Sequence, residues 1–593
     1  MLNKKNKLIV SAIISAAVIL AITSVWNDSV IVDEVPHVGA GYSYLTKGDY
    51  RLNPEHPPLA KDLAAIPLLF LNIDKNSLFG TQYWNKDING QWDFGRFLIF
   101  KASSDPQKTS RMAKLPVLLF YILSAILIFK WIFKIYGRFP AYTALILFLF
   151  SPTIMAHARF VTTDLAALFG ILFSTYFFIE YLKNPNKKTF WLASVFFGIA
   201  LVSKFSTFLL IPFLGILSLV YAWTNSDNKF FIKKIKELIM AGFKSLAIFI
   251  LGFIIVVWPV YYFHTYNYPA ERQKNDTADI LKSFGNKYLK SPVVWASDKP
   301  VLRSAAQYGL GLLMVVQRSA GGNTIYFQGE VLNTAGKKYF PTVYLIKEPL
   351  AWWGLVIIAL GIIITKTKTL KLKTKNLGIW IKDHFTEFSM LLWLVIYWAT
   401  SIRSTLNIGV RHLLPTYPFA IMLVSSQIGF LANKLKNKKH NLFTLYFLLC
   451  TLLGWYVFEN INIYPYYLTY FNQLAGGPSN GYKIAVDSNI DWGQDLKRLS
   501  DWVEKNNIPK ISLDYFGWAD QDWYLRDKIK WVSSKTYTDL EDFKLKNETD
   551  GWIAVSATFL MGSRGGKEGN YGWLREQTPI TVIGNSIFVY YFK

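Results

Sequence analysis

DSVIVDEVPHVGAGYSYLTKGDYRLNPEHPPLAK, residues 28–61, follows directly on an apolar run and decides how the rest of the chain is read. It holds five acids, Asp28, Asp33, Glu34, Asp49 and Glu55, and two histidines, His37 and His56. So many titratable groups where an apolar segment ends read as the functional loop of a membrane protein, since loops carry sites and helices position them. Composition agrees. Of 593 residues 52% are apolar and 17% charged, against roughly a quarter charged in soluble proteins. The single cysteine, Cys450, excludes an intrachain disulfide framework.

Working outward, MLNKKNK precedes the apolar run 8–26, which is long enough to cross roughly 30 Å of hydrocarbon. With no convincing small-residue cleavage site before Asp28, it reads as an uncleaved first span. Ten further runs lie near 115–135, 140–157, 165–182, 189–203, 206–223, 245–263, 350–365, 388–401, 409–431 and 442–458. Their connectors alternate strictly. Lysine-rich ones (134–138, 183–188, KKIKE with Lys244, 366–375, 433–440) are followed by longer or acid-bearing ones (27–114, HARFVTTD, SKFS, 264–349, SIRSTLNIGVRH and the chain after 459). That is the positive-inside pattern. It predicts a polytopic α-helical membrane protein of about 11 transmembrane helices, with the N-terminus cytoplasmic and the C-terminus extracytoplasmic. The expected division is a first helix (1–26), an extracytoplasmic catalytic loop (27–114), helices two to seven (115–263), a second outer loop (264–349), helices eight to eleven (350–458) and an outer domain (459–593). The net charge of +25 is mostly topology, so nucleic acid is excluded as a partner.

In the outer segments, RQKNDTADILKSFGNKYL reads as a helix and GNTIYFQGEV as a turn followed by an edge strand. After 459, DLKRLSDWVEKNN reads as an amphipathic helix, ISLDYFGW and GWIAVSATFL as strands, and TPITVIGNSIFVYYFK as a closing hairpin. Alternating helix and strand predict a small α/β domain.

Several residue groups could carry chemistry. Asp33 and Glu34 stand side by side at the mouth of a bundle, where a carboxylate can deprotonate an acceptor hydroxyl or hold a metal; a solvated loop start is the plainer reading. In Glu55-His56-Pro57-Pro58-Leu59-Ala60-Lys61 two prolines fix the backbone and start a helix, which makes a rigid polar hook. HARFVTTD (157–164) joins two apolar helices with an Arg and an Asp, expensive at that depth unless paired or functional. Arg159 suits a phosphate by bidentate hydrogen bonding; the alternative is an Arg159–Asp164 salt bridge that caps the hairpin. Lys204, in SKFS, is either a phosphate contact or a snorkelling lysine. Arg403, Arg411 and His412 would complete a positive rim. DSNIDWGQD (487–495) has acids at spacing four, but glycine and closing Glu are misplaced for a calcium loop, so a structural or acceptor-facing role is preferred. No nucleotide-binding loop occurs, which points to an activated donor from the membrane.

As a set, the acidic pair, NPEHPPLAK, HARFVTTDLAALF, LVSKFS, YFQGEV with YFPTVYLIKEPL, RHLLPTYPF and DSNIDWGQDLKRL resemble the protein O-mannosyltransferases (glycosyltransferase family 39) of the GT-C superfamily. They resemble more closely the bacterial phospholipid-carrier-dependent glycosyltransferases. The resemblance spans roughly residues 28–500. It implies a GT-C bundle that moves a sugar, a mannose-like hexose first of all, from a polyprenyl-phosphate donor to an acceptor hydroxyl, with inversion. By that resemblance Asp33 is the catalytic base and Glu34 its neighbour, Arg159 holds the donor phosphate with Asp164 close by, and His56 and Lys61 line the donor side. Lys204 and Arg411 are added as phosphate contacts from position and charge. No cofactor is required; a divalent metal, with Asp33, Glu34 and His56 as its ligands if any, is allowed. The 264–349 loop is too short for the β-trefoil of the eukaryotic enzymes, and the C-terminal domain is foreign to them. The acceptor therefore stays open between protein and a lipid or surface glycan, as in the aminoarabinose transferases. A lipid-linked sugar transporter is the rival of another class; it would favour inverted repeats, and none is seen.

Overall fold

The computed structural model describes residues 4–226, 230–370, 377–435, 439–562 and 571–593. The lysine-rich connectors 366–375 and 433–440 lie partly outside the described residues. Among those described, eight helices are long and apolar enough to cross a membrane, and up to ten do so if each of two bent pairs is one span. Arg138–Leu149 with Pro152–Ala158 bends by 59°, and Gly336–Lys347 with Leu350–Thr365 by 106°. Each bend has a proline just after it, Pro152 and Pro349, which cannot donate back to the preceding turn. At the first bend the Ser151 side chain accepts from the Ile154 amide and caps the new helix.

The eleventh expected span is the helix Lys187–Leu201, which has only 15 residues. At 1.5 Å per residue it covers about 22 Å, short of the roughly 30 Å of a hydrocarbon core. It packs as a hairpin on the helix Asp164–Lys183: a Cβ on Gly170 would meet the Ala200 backbone at 2.7 Å, and the rings of Tyr181 and Phe190 meet at the other end. The turn at 202–204 closes the hairpin. There the Leu59 amide donates to the Val202 carbonyl at 3.2 Å, and Lys204 reaches Asp164.

The first loop is mostly short helices on the face where this turn lies. The helix Glu34–Lys47 ends at Gly48 in the left-handed region (φ 61°), and Gly39 and Gly41 let it lie directly on Gly95 and on the Lys61 carbonyl. RQKNDTADILKSFGNKYL forms two helices, Ala270–Ile280 and Lys287–Ala296, not one. GNTIYFQGEV forms a complete two-stranded hairpin, β1 (Ile325–Phe327) and β2 (Glu330–Leu332), turning at Gln328 and Gly329, both with positive φ.

The C-terminal part carries a five-stranded mixed sheet. Its strands are β3 (Ile511–Asp514), β4 (Ile529–Trp531), β5 (Trp552–Ser556), β6 (Thr581–Ile583) and β7 (Ile587–Tyr591), in the order β4-β3-β5-β7-β6. β3 runs parallel to β4 and β5, while β7 is antiparallel to both its neighbours. Alternation along the strands divides the sheet between two cores. Ala554, Ile587 and Val589 join the core continuous with the membrane helices; Ile553, Val555, Phe588 and Tyr590 join a smaller one on the opposite face. The sheet is therefore buried on both sides, one of them against the bundle.

Candidate active site

Four charged side chains from four separate elements form one chain of alternating sign. Asp33 precedes the helix Glu34–Lys47. It occupies the N-cap position yet makes no side-chain cap bond, which leaves its carboxylate for Arg411, whose Nη1 lies 2.6 Å from Asp33 Oδ2. Arg411, in the 3-10 helix Val410–Thr416, also stands 3.4 Å from Asp164 Oδ2. Asp164 opens the helix Asp164–Lys183 and takes Lys204 Nζ at 2.5 Å on its other oxygen. The two ends are the accessible members: the Asp33 side chain is 22% exposed and Lys204 16%, against 1% for Asp164. Burial would raise Asp33, but the Arg411 charge and hydrogen bond, helped by His37, outweigh it and hold the carboxyl below its usual range.

His37 follows one turn later. Its Nδ1 lies 2.8 Å from the Val161 carbonyl, so that nitrogen carries the proton, and its ring meets His56 edge-on at 5.0 Å. Burial holds both imidazoles below their ordinary values; at His56 the neighbouring charges of His37, Lys61, Arg318 and Lys204 add to it.

Glu34 points the other way. It is fully buried, accepts from the Ile31 and Val161 amides at 3.0 Å each, and has Lys114 at 3.3 Å. Burial pushes its carboxyl up against those partners. Adjacent carboxylates are thus driven apart, one ionised and accessible, the other stapling the first loop to the 159–163 turn. Lys61 is also buried: its Nζ donates to Tyr44 Oη and to the Asn53 and His56 carbonyls and Asn53 Oδ1, all within 3.0 Å, and burial lowers it to about 7. Its place is inside the hook, holding His56, with no face toward the cleft.

Arg159, expected at a donor phosphate, lies elsewhere. It is 2% exposed, with Nη1 2.7 Å from Asp28 and Phe160 under its guanidinium. Asp28 in turn takes Arg498, which also pairs with Asp495. Only Nη1 of its fork is engaged, by Asp28 and Ser24 Oγ, and Nε is buried without a hydrogen-bond partner; through that one nitrogen Arg159 fastens the joint between the bundle and the C-terminal part. The alternative Arg159–Asp164 cap is not formed either. Among the described residues no group of three or more His, Cys, Asp or Glu is arranged to hold a metal ion; Asp33, Glu34 and His56 do not form one.

Sequence reasoning passed over Trp492, which lies 4.2 Å from the Arg411 guanidinium, and the pairing of Asp28 with Arg498. The i,i+3 spacing of Asp495 and Arg498 was visible, but nothing local announces a partner 470 residues away.

A largely apolar cavity of about 1410 Å³ lies among the later helices, lined by Tyr344, Trp352, Trp353, Leu391, Trp398 and Phe430 among others and by none of the four charged residues. The helix Tyr339–Lys347 contributes Tyr344 to its wall, and the same helix packs Phe340 toward the His412 ring. The cavity's far end carries Tyr136, whose hydroxyl donates to Glu387.

Residues 9–269, somewhat under half the chain, match the model of the dolichyl-phosphate-mannose-protein mannosyltransferase family. No curated protein matches in sequence. Among solved structures, the archaeal oligosaccharyltransferase AglB of Archaeoglobus fulgidus, in complex with an inhibitory peptide and a dolichol-phosphate, aligns over 93% of this chain and 70% of its own at 12% identity, TM-score 0.46. ArnT of Cupriavidus metallidurans aligns over 99% of this chain and 98% of its own, at 12% identity and TM-score 0.30 in the apo state, and at 11% and 0.28 bound to undecaprenyl phosphate. The matched segment, which holds Asp33, His56, Asp164 and Lys204, is what this multi-pass membrane protein has in common with that mannosyltransferase family.

Proposed function

We propose that this protein transfers a hexose, mannose-like first of all, from a polyprenyl-phosphate donor to an acceptor hydroxyl on the extracytoplasmic face of the cell membrane. The observation that carries the reading is the partly exposed Asp33 carboxylate held against Arg411, with Lys204 at the other end of the same charge chain. The apolar cavity among the later helices suits an isoprenoid tail. Lysine-rich connectors on the opposite face support a cytoplasmic N-terminus.

In this mechanism Asp33 accepts the proton of the acceptor hydroxyl as that oxygen attacks the anomeric carbon. The bond from that carbon to the phosphate oxygen breaks on the opposite side, its electron pair leaves with the lipid phosphate, and configuration inverts. Lys204 and Arg411 face the charge that grows on the leaving group. His56 lines the donor side, with the His37 ring against it. A divalent ion, if one takes part, would assist the departing phosphate; no step above depends on it.

The test is consumption of synthetic undecaprenyl-phosphate mannose, glucose and aminoarabinose by purified protein in detergent, with a crude membrane extract supplying acceptors. Wild type runs beside Asp33→Asn. One donor consumed by wild type and spared by the variant supports the reading, and the labelled product identifies a protein, lipid or glycan acceptor. Binding or flipping of donors without turnover sinks it in favour of a transporter.

A further inference from the structure

One backbone segment from the C-terminal part holds both members of the Asp33–Arg411 pair. On one side it grips the strand leading to Asp33: the Val32 amide donates to the Trp492 carbonyl and the Ser29 amide to the Gln494 carbonyl, each at 2.9 Å. The Ser29 hydroxyl donates to the Gly493 carbonyl at 2.8 Å and accepts from the Leu496 amide at 3.1 Å. On the other side it grips the loop that presents Arg411. Ser488 Oγ donates to the Ile408 carbonyl, the Val410 amide donates to Asn489 Oδ1 at 3.0 Å, and the Trp492 ring lies 4.2 Å from the guanidinium carbon. The segment is itself rigid. Asn489 Nδ2 donates to Tyr339 Oη and the Val486 carbonyl, Lys347 donates to the Asn489 carbonyl, and Asn489 and Trp492 are 0% and 1% exposed. Gly409 has a φ of 144° and a Cβ there would meet Ser488 Oγ at 2.3 Å, so the loop lies against the segment with no room between.

We propose that Asn489 and Trp492 are positioning residues for sugar transfer: from one backbone segment they fix the Arg411 guanidinium in register with the Asp33 carboxylate. The proposal rests on Asp33 being the base. Sequence alone suggested only a structural or acceptor-facing role for DSNIDWGQD; the geometry gives it a specific load, alignment of two residues 378 positions apart.

The reason for two holds on one pair is electrostatic. Asp33 faces Arg411 from the Val410–Thr416 turn, His37 from its own helix and Asp164 from the neighbouring span. Arg411 faces Asp33, Asp164 and Asp487, with His157 and His412 nearby. With two further carboxylates competing for it, the guanidinium stays on Asp33 only where the loop is fixed. A slack loop lets it drift toward Asp164 or Asp487, and the Asp33 carboxyl then rises toward its ordinary range or above, because burial is left unopposed.

The experiment measures kcat/KM against pH with undecaprenyl-phosphate mannose and membrane-extract acceptors for wild type, Trp492→Leu, Trp492→Phe and Asn489→Ala, with Asp33→Asn alongside. Trp492→Leu and Asn489→Ala are expected to lower kcat about tenfold with donor KM within about twofold. They should also move the acid limb upward by about one pH unit, and Trp492→Phe, which keeps a ring face, should restore most of both. A rate loss uniform across pH, with the limb unmoved, overturns the proposal and leaves these residues merely structural. Hydrogen exchange gives a readout independent of turnover. Asn489→Ala should speed exchange at 408–412 while 511–514 stays protected; unchanged exchange at 408–412 also overturns it. If Asp33→Asn turns over normally, the base assignment falls, while the exchange result still decides whether Asn489 positions Arg411.

Discussion

The molecule contains two clusters built from the same parts, two aspartates and two cations in alternation, and they differ in access. Asp33–Arg411–Asp164–Lys204 ends in side chains 22% and 16% exposed. In Arg159–Asp28–Arg498–Asp495 the members are 11% exposed or less. The first draws on four elements and ends in partly exposed side chains; the second joins the first loop and the 159–163 turn to the helix Leu496–Lys505. A charge network is a working site where one end meets solvent or ligand and a fastening where both ends are sealed, since the cost of desolvating an ion is recovered only by its partners.

Substitutions should separate the two. Asp33→Asn is expected to cut donor consumption about a thousandfold while thermal unfolding in detergent stays within a few degrees of wild type; a matching fall in stability would erase the distinction. Arg159→Met should do the reverse, costing about 1–3 kcal/mol by taking from the buried Asp28 one of its two cations while Arg498 remains, with melting temperature as the measurement and residual activity tracking the folded fraction. On the proposed function, Lys204→Met should raise donor KM about tenfold, and it should also lower the melting temperature, because the buried Asp164 then keeps only Arg411 at 3.4 Å. Lys497→Ala, on the solvent side of the helix Leu496–Lys505, breaks only the i,i+4 pair with Asp501. It should change stability by less than about 0.5 kcal/mol, which sets the floor against which the buried cluster is judged.

The membrane class was legible because it rests on a local signal, the apolar runs. Asp33 was legible too, because it stands where such a run gives way to a polar loop. The shortened span at 187–201 was not, since a mostly apolar fifteen-residue stretch that opens on two lysines resembles a full crossing until the hairpin partner shows where the turn falls. Arg159 shows the other limit. Its sequence setting, an arginine between two apolar helices, suits a phosphate as well as it suits a buried acid, and only the position of Asp28 decides. The short strands of the C-terminal sheet were readable from their period, but their burial on both faces depends on docking to the bundle.

The fifteen-residue helix has a consequence for how the protein is made. A segment that short is a weak stop for a chain entering the membrane, and the backbone that follows it, at 202–204, is not helical where hydrocarbon could not solvate its amides. The Val202 carbonyl is capped by the Leu59 amide, next to the paired prolines of the first loop. The turn of this hairpin is therefore closed by a segment more than a hundred residues earlier in the chain, and the same contact brings the stretches that carry His56 and Lys204 together.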